Sequence, residues 1–127
     1  MIVTATHHGG YAATVTARGH TIAIDEPPSD GGEDAGAMPT ELLAGALASC
    51  FALSLAHVAR RAGAELPGLR VEVQAERAGR ELRYGRMIVS ARADVPLDPY
   101  IERARRLCWV SNTFAAPPEI EYRMEDS

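Results

Sequence analysis

From Leu42 to Ala59 the chain carries no Asp, Glu, Lys or Arg, and only Gly45, Ser49, Ser54 and His57 interrupt an otherwise apolar run. Ala and Leu dominate it, and both are strong helix formers. Pro39 suits a first helical position, where the missing N–H costs nothing, and Glu41 falls in the first turn, where the helix dipole favours a negative charge. Arg60, Arg61 and Gly63 supply the cations and the glycine that mark a helix C-terminus. The pattern predicts a long helix, apolar on nearly every face and therefore buried. Leu43, Ala46, Leu47, Cys50, Leu53, Ser54 and His57 follow the i, i+3, i+4, i+7 spacing of one stripe, which puts Cys50 in the enclosed middle of the element.

The remainder alternates as strands do. Ile2 to Thr6, Tyr11 to Ala17 and Thr21 to Asp25 are short and rich in β-branched residues, with Arg18-Gly19-His20 as a hairpin connection. Glu26 to Gly36 is Pro, Gly and acid throughout, an exposed loop. Leu69, Val71, Val73 and Ala75 alternate with Arg70, Glu72, Gln74 and Glu76, and Met87 to Val95 repeats the pattern, giving two half-buried strands. Asp98-Pro99 opens a second helix reaching Cys108, with Ile101, Ala104 and Cys108 on one face. After Pro117-Pro118, Ile120, Tyr122 and Met124 alternate with Glu119, Glu121 and Arg123, predicting a final strand. The order is α+β with antiparallel pairing, one domain over residues 1–127, and a cysteine on each main helix.

Composition narrows the function. An apolar fraction of 46% with 24% charged residues describes a globular chain, and a net charge of −4 argues against a nucleic-acid or anionic-membrane binder. The Leu42–Ala59 run reaches the lower limit of a membrane span, but its Ala-rich content with internal Gly, Ser and His fits a core helix better. A chain this short has limited means of covering such a helix alone, which predicts a dimer. Met1 to His8 lacks the basic and apolar regions of a signal peptide, so a cytoplasmic protein is expected. There, two cysteines are core thiols or a reactive pair, not a standing structural disulfide.

Metal chemistry has little to work with. His7 and His8 are adjacent, so on a strand they point to opposite faces. The acids of the 26–36 loop lack the ligand spacing of a calcium loop. No metal or cofactor is expected. The Arg103, Arg105 and Arg106 cluster reads as a solvated helix face, partly paired to Glu102.

Pro39-Thr40-Glu41-Leu42-Leu43 followed by Ala46-Leu47-Ala48-Ser49-Cys50 resembles the signature of the OsmC/Ohr family, the osmotically inducible protein C and organic hydroperoxide resistance proteins. Cys108-Trp109-Val110-Ser111 resembles the second motif of that family, normally Cys-Pro-x-Ser. Gly19 to Pro27 with Gly31-Gly32 is similar to its OsmC-like branch. The resemblance implies an intertwined homodimer with the active site at the subunit interface, and reduction of organic hydroperoxides by thiol chemistry. It implies Cys50 as the peroxidatic thiol, oxidised to a sulfenic acid, and Cys108 as the thiol that resolves it to a disulfide within one subunit. A dithiol reductant then restores the pair.

The activation set of the family differs here. The peroxidases hold an Arg near the thiolate with a Glu directly after the motif's Pro, where this chain has Thr40; Glu41 comes one residue later. Tyr11 stands at the position of their Arg, and Trp109 at that of the second-motif Pro. Glu41 is the candidate to hold an Arg near Cys50, with Arg18 or an Arg of a second copy as its partner; the competing reading makes Glu41 a helix-end charge only. Two alternatives to a peroxidase share the fold: a protein binding a small hydrophobic or thiol-bearing ligand without turnover, and a dimer whose cysteines merely fill the core.

Overall fold

The three N-terminal segments pair as an antiparallel meander in the computed structural model, which describes residues 1–125. Strands β1 (Thr4–Gly9), β2 (Ala12–Ala17) and β3 (His20–Ile24) lie in that order. The β2–β3 connection is a two-residue turn in which Arg18 and Gly19 take φ of 50° and 85°, the left-handed pair that matches strand twist in a tight hairpin. Sequence pattern ends β1 at Thr6; the structure carries it through His7 and His8, with a bulge before Gly9. Two contacts account for the extension: His7 Nε2 donates to the Gly10 carbonyl at 2.8 Å, and His8 Nε2 hydrogen-bonds Thr14 Oγ1 at 2.7 Å.

Chain contacts divide the molecule into two compact units, Met1–Gly45 and the chain from Ala46 onward. In the first, the loop after β3 closes on Asp25. That side chain is 2% exposed, and its carboxylate accepts N–H groups from Glu26 at 2.8 Å, Ala35 at 3.1 Å and Glu33 at 3.3 Å. A Cβ on Gly32 or Gly36 would collide with the backbone of Glu26 or Ala23, so only glycine lets the loop lie this close. The N–H groups of Ala35 and Glu26 pull the Asp25 carboxyl below the ordinary value against the opposing effect of burial, and that of Glu33 adds to them. A carboxylate whose pKa falls on folding stabilises fully above its unfolded value, about 3.9, and loses that contribution as pH drops through the lower folded value. Amides of Glu33 and Ala35 should therefore exchange slowly near neutrality and lose protection in acid below about pH 4. Asp25→Ala should remove that protection at all pH, which amide exchange at these residues measures.

Helix α1 (Pro39–Arg61) runs as the charge-free stretch predicts. In the second unit it meets β4 (Arg70–Arg77) and β5 (Tyr84–Arg92), an antiparallel pair, and helix α2 (Asp98–Leu107). Leu47, Phe51, Leu55 and Val58 of α1, with Leu97, Ala104 and Cys108, form the core; Val71, Val73, Met87 and Ala91 pack against it from the strands. This corrects the predicted stripe. Of Leu43, Ala46, Leu47, Cys50, Leu53, Ser54 and His57, only Leu47 and Ser54 are buried, and Leu53 is 72% exposed. A helix apolar on all sides offers no phase to read, and the rest of the chain covers only one of its faces. The helix is long and apolar enough to cross a membrane, a test that a core helix also passes.

Two further expectations change. The chain does not remain helical through Cys108, where φ −78° and ψ 102° are extended. A third helix, α3 (Trp109–Ala115), begins immediately afterwards. Residues 117–125 form no strand, and Ile120, Tyr122 and Met124 lie exposed. Alternation alone gives a segment the capacity to pair, but a strand requires an edge to pair with.

Candidate active site

Cys50 and Cys108 are both free thiols. Cys50 comes from the middle of α1, partly exposed and packed against the core cluster; Cys108 belongs to that cluster and is 0% exposed. The break between α2 and α3 aims Cys108. Its N–H is bonded to the Arg105 carbonyl at 3.4 Å, while its own carbonyl accepts the Asn112 N–H at 3.0 Å, the first helical bond of α3. Cys108 is thus the residue that caps α3, and Ser111 is the third helical residue beyond it. No Gly or Pro announces the break, but Cys108-x-x-Ser111 has the spacing at which a cap and the first turn exchange hydrogen bonds.

Burial pushes the Cys108 thiol up. Hydrogen bonds from the Ser111 hydroxyl, the Ser111 N–H, the Cys50 thiol and the Val110 N–H outweigh it and leave the group below the ordinary thiol value. The Ser111 hydroxyl also reaches the Cys108 carbonyl at 3.2 Å, and rotation about its C–O bond turns its proton to either acceptor. Every donor here is neutral, and no guanidinium takes part. Cys50 and Val110 pack against the core cluster that contains Cys108, and Ser111 lies in the first turn of α3 beyond it.

Glu41 is engaged elsewhere. Its Oε1 accepts the Met38 N–H at 2.9 Å, the reach-back of a third-position carboxylate to the residue that caps its helix. Among the described residues neither Glu41 nor Arg18 forms an ion pair; the Arg105–Glu102 pair at 2.9 Å is exposed, as the charge pattern of α2 predicts. Glu41→Gln keeps an acceptor at this position and should leave both stability and Cys50 reactivity within twofold of the parent, whereas Glu41→Ala should cost about 0.3–1 kcal/mol. Thermal melts and thiol alkylation rates check the two. A tenfold loss of Cys50 reactivity in Glu41→Gln with an unchanged melt would instead assign the carboxylate to the thiol.

A cleft of about 820 Å³ is lined by Leu47, Phe51, Leu97 and Ile101 together with the charged Asp98, Glu102, Arg105 and Arg106; neither cysteine lines it. Ser111 also lines it, and its hydroxyl donates to the Cys108 carbonyl at 3.2 Å. Among the described residues no three His, Cys, Asp or Glu side chains cluster to hold a metal.

The family model for OsmC-like protein matches residues 31–123. A sequence search of curated proteins finds no match. Among solved structures, the fold is similar to a putative osmotic stress induced and detoxification response protein from Psychrobacter arcticus, at TM-score 0.78 and 20% identity over 87% of this chain and 85% of that one. It is also similar to an organic hydroperoxide resistance protein from Legionella pneumophila, at TM-score 0.67 and 21% identity, covering 90% and 89% of the two chains. A third likeness is to a putative organic hydroperoxide resistance protein from Vibrio cholerae with captopril bound in one of its active sites, at TM-score 0.62 and 22% identity over 92% and 86%. At these identities the structures establish the fold, and the family match spans both cysteine motifs. The chain belongs to the OsmC-like protein family.

Proposed function

We propose that this chain is a thiol-dependent peroxidase that reduces organic hydroperoxides through Cys50 and Cys108. The observation that carries the reading is that Cys50, partly open to solvent, packs against the buried cluster that contains the enclosed Cys108. An accessible thiol can meet a peroxide, and a thiol already beside it can close the disulfide once a sulfenic acid forms. The cleft that Ser111 lines, with Leu47, Phe51, Leu97 and Ile101 in its wall, suits a peroxide with a hydrophobic group. The names of the Legionella and Vibrio relatives support the substrate class. A dithiol reductant of the cytoplasm completes the cycle. The test is steady-state consumption of tert-butyl hydroperoxide with dithiothreitol as reductant. Sustained turnover dependent on Cys50 supports the reading, and its absence refutes it.

The working form is a homodimer. Leu43, Leu53, Ile120, Tyr122 and Met124 are all exposed in one subunit, more apolar surface than a stable monomer leaves to water. A second copy covers α1's open stripe and gives residues 117–125 an edge to pair with. Sedimentation at micromolar concentration should show a dimer, and Leu53→Arg should shift it to monomer or to aggregate. A folded, monodisperse monomer of the parent protein would contradict this.

A further inference from the structure

We propose that the tip of the β4–β5 hairpin is a docking site for anionic lipid bilayers. The tip is used neither by the thiols nor by the exposed side chains of α1 and of residues 117–125. Residues 78–83 join Arg77 to Tyr84, and among them Leu82 is 96% exposed. The turn is braced in that form. Arg77 donates from Nε to the Glu81 carbonyl at 2.9 Å and from Nη2 to the Arg80 carbonyl at 3.0 Å. The Ala78 N–H donates to the Arg83 carbonyl and the Glu81 N–H to the Ala78 carbonyl, both at 3.0 Å. Gly79 supplies the left-handed φ of 57° at the bend. Leu82 is thus held out into solvent by an ordered turn and does not fold back onto the core.

Charge selects the partner. Glu81, the one carboxylate of the turn, is paired with Arg83 at 2.8 Å. Arg77 and Arg80 form no ion pair among the described residues. Three arginines against one glutamate leave residues 77–83 with a net charge of +2. The whole chain carries −4, which opposes adsorption over its general surface. Charges more than about 8 Å away are largely screened at physiological ionic strength, however, so the tip meets a surface on its own local charge. An anionic bilayer satisfies both features at once: lipid phosphates take the two uncompensated guanidinium groups, and the acyl boundary just beneath takes Leu82. An acidic peptide in water offers the first contact and not the second. Each contribution is modest, so the attachment is weak and reversible. It also brings the chain to where apolar peroxides collect, although the docking itself does not rest on the peroxidase reading.

The experiment is cosedimentation of the intact chain with vesicles of equimolar phosphatidylglycerol and phosphatidylcholine, and with vesicles of phosphatidylcholine alone. The parent protein should pellet with the anionic vesicles, remain in solution with the neutral ones, and lose binding as salt is raised. Leu82→Ser removes the apolar contact and should weaken binding by about tenfold or more. A basic residue near an anionic surface contributes about fivefold, so Arg80→Glu should weaken binding by at least that factor. Both side chains are exposed, so the melts of both variants should match that of the parent, which separates lost docking from lost folding. A parent protein that ignores anionic vesicles, equal binding to both vesicle types, or parent-like binding by either variant overturns the proposal. Capture on immobilised polyglutamate with no binding to vesicles also overturns it, and identifies an acidic protein as the partner. Peroxide turnover plays no part in this readout, so docking stands or falls separately from the proposed activity.

Discussion

Cys50→Ser should abolish peroxide consumption, by on the order of a thousandfold or more, while leaving the fold intact. Serine at neutral pH is not a nucleophile without a dedicated base, and losing the group that forms the covalent intermediate is among the largest single effects a substitution produces. The change is nearly isosteric at a partly exposed position of α1, so stability should move by less than about 1 kcal/mol. Cys108→Ser should differ in kind: a single oxidation of Cys50 still occurs, the sulfenic acid persists instead of closing to a disulfide, and repeated exposure drives it on to irreversible forms. Peroxide consumption with dithiothreitol and intact mass after one equivalent of peroxide separate the two variants. Equal residual turnover in both would mean that neither thiol is the peroxidatic one.

The largest expected effect on stability is at Leu55. Its side chain is 0% exposed, amid a cluster that includes Phe51, Val58, Leu97 and Cys108. Leu55→Ala removes buried methyl groups and leaves a cavity that rigid helices fill only in part, at a cost of about 2–5 kcal/mol. For a domain of this size that is a large share of total stability. The denaturant midpoint should fall with little change in slope. Leu53→Ala is the internal comparison: two residues earlier on the same helix it is 72% exposed, so it should barely alter stability. Because Cys108 shares Leu55's cluster, Leu55→Ala should also loosen the thiol pair and slow disulfide closure.

Much of this architecture was legible in the residues. The charge-free run from Leu42 to Ala59, with Pro39 before it and Gly63 after it, specified α1, and the alternation about Val71, Val73, Met87 and Ala91 specified β4, β5 and the side chains they turn to the core. What was not legible has identifiable causes. The buried face of α1 differs from the predicted stripe because an all-apolar helix is phased by its neighbours and not by its own pattern. The break at Cys108 was hidden because Arg105-Arg106-Leu107 continues a good helical sequence, with no Gly or Pro to end it; the Cys108–Ser111 spacing was the available signal. Residues 117–125 have strand alternation but pair with no edge among the described residues. Of the site, the sequence offered the two cysteines and the resemblance implied their pairing; the unannounced break that sets Cys108 at the start of α3 was not legible. Glu41 carried a correct local signal, a carboxylate in the first turn, and the structure employs it to accept the Met38 N–H.

Everything proposed for the site depends on Cys50 and Cys108 acting as one redox pair. Reduced protein treated with one equivalent of tert-butyl hydroperoxide, digested without reductant and mapped by mass spectrometry, measures this most directly. Both free thiols should disappear together, replaced by a Cys50–Cys108 cross-linked peptide from a single chain, reversibly with dithiothreitol. Retention of both thiols, or oxidation of Cys50 while Cys108 stays free, would contradict it.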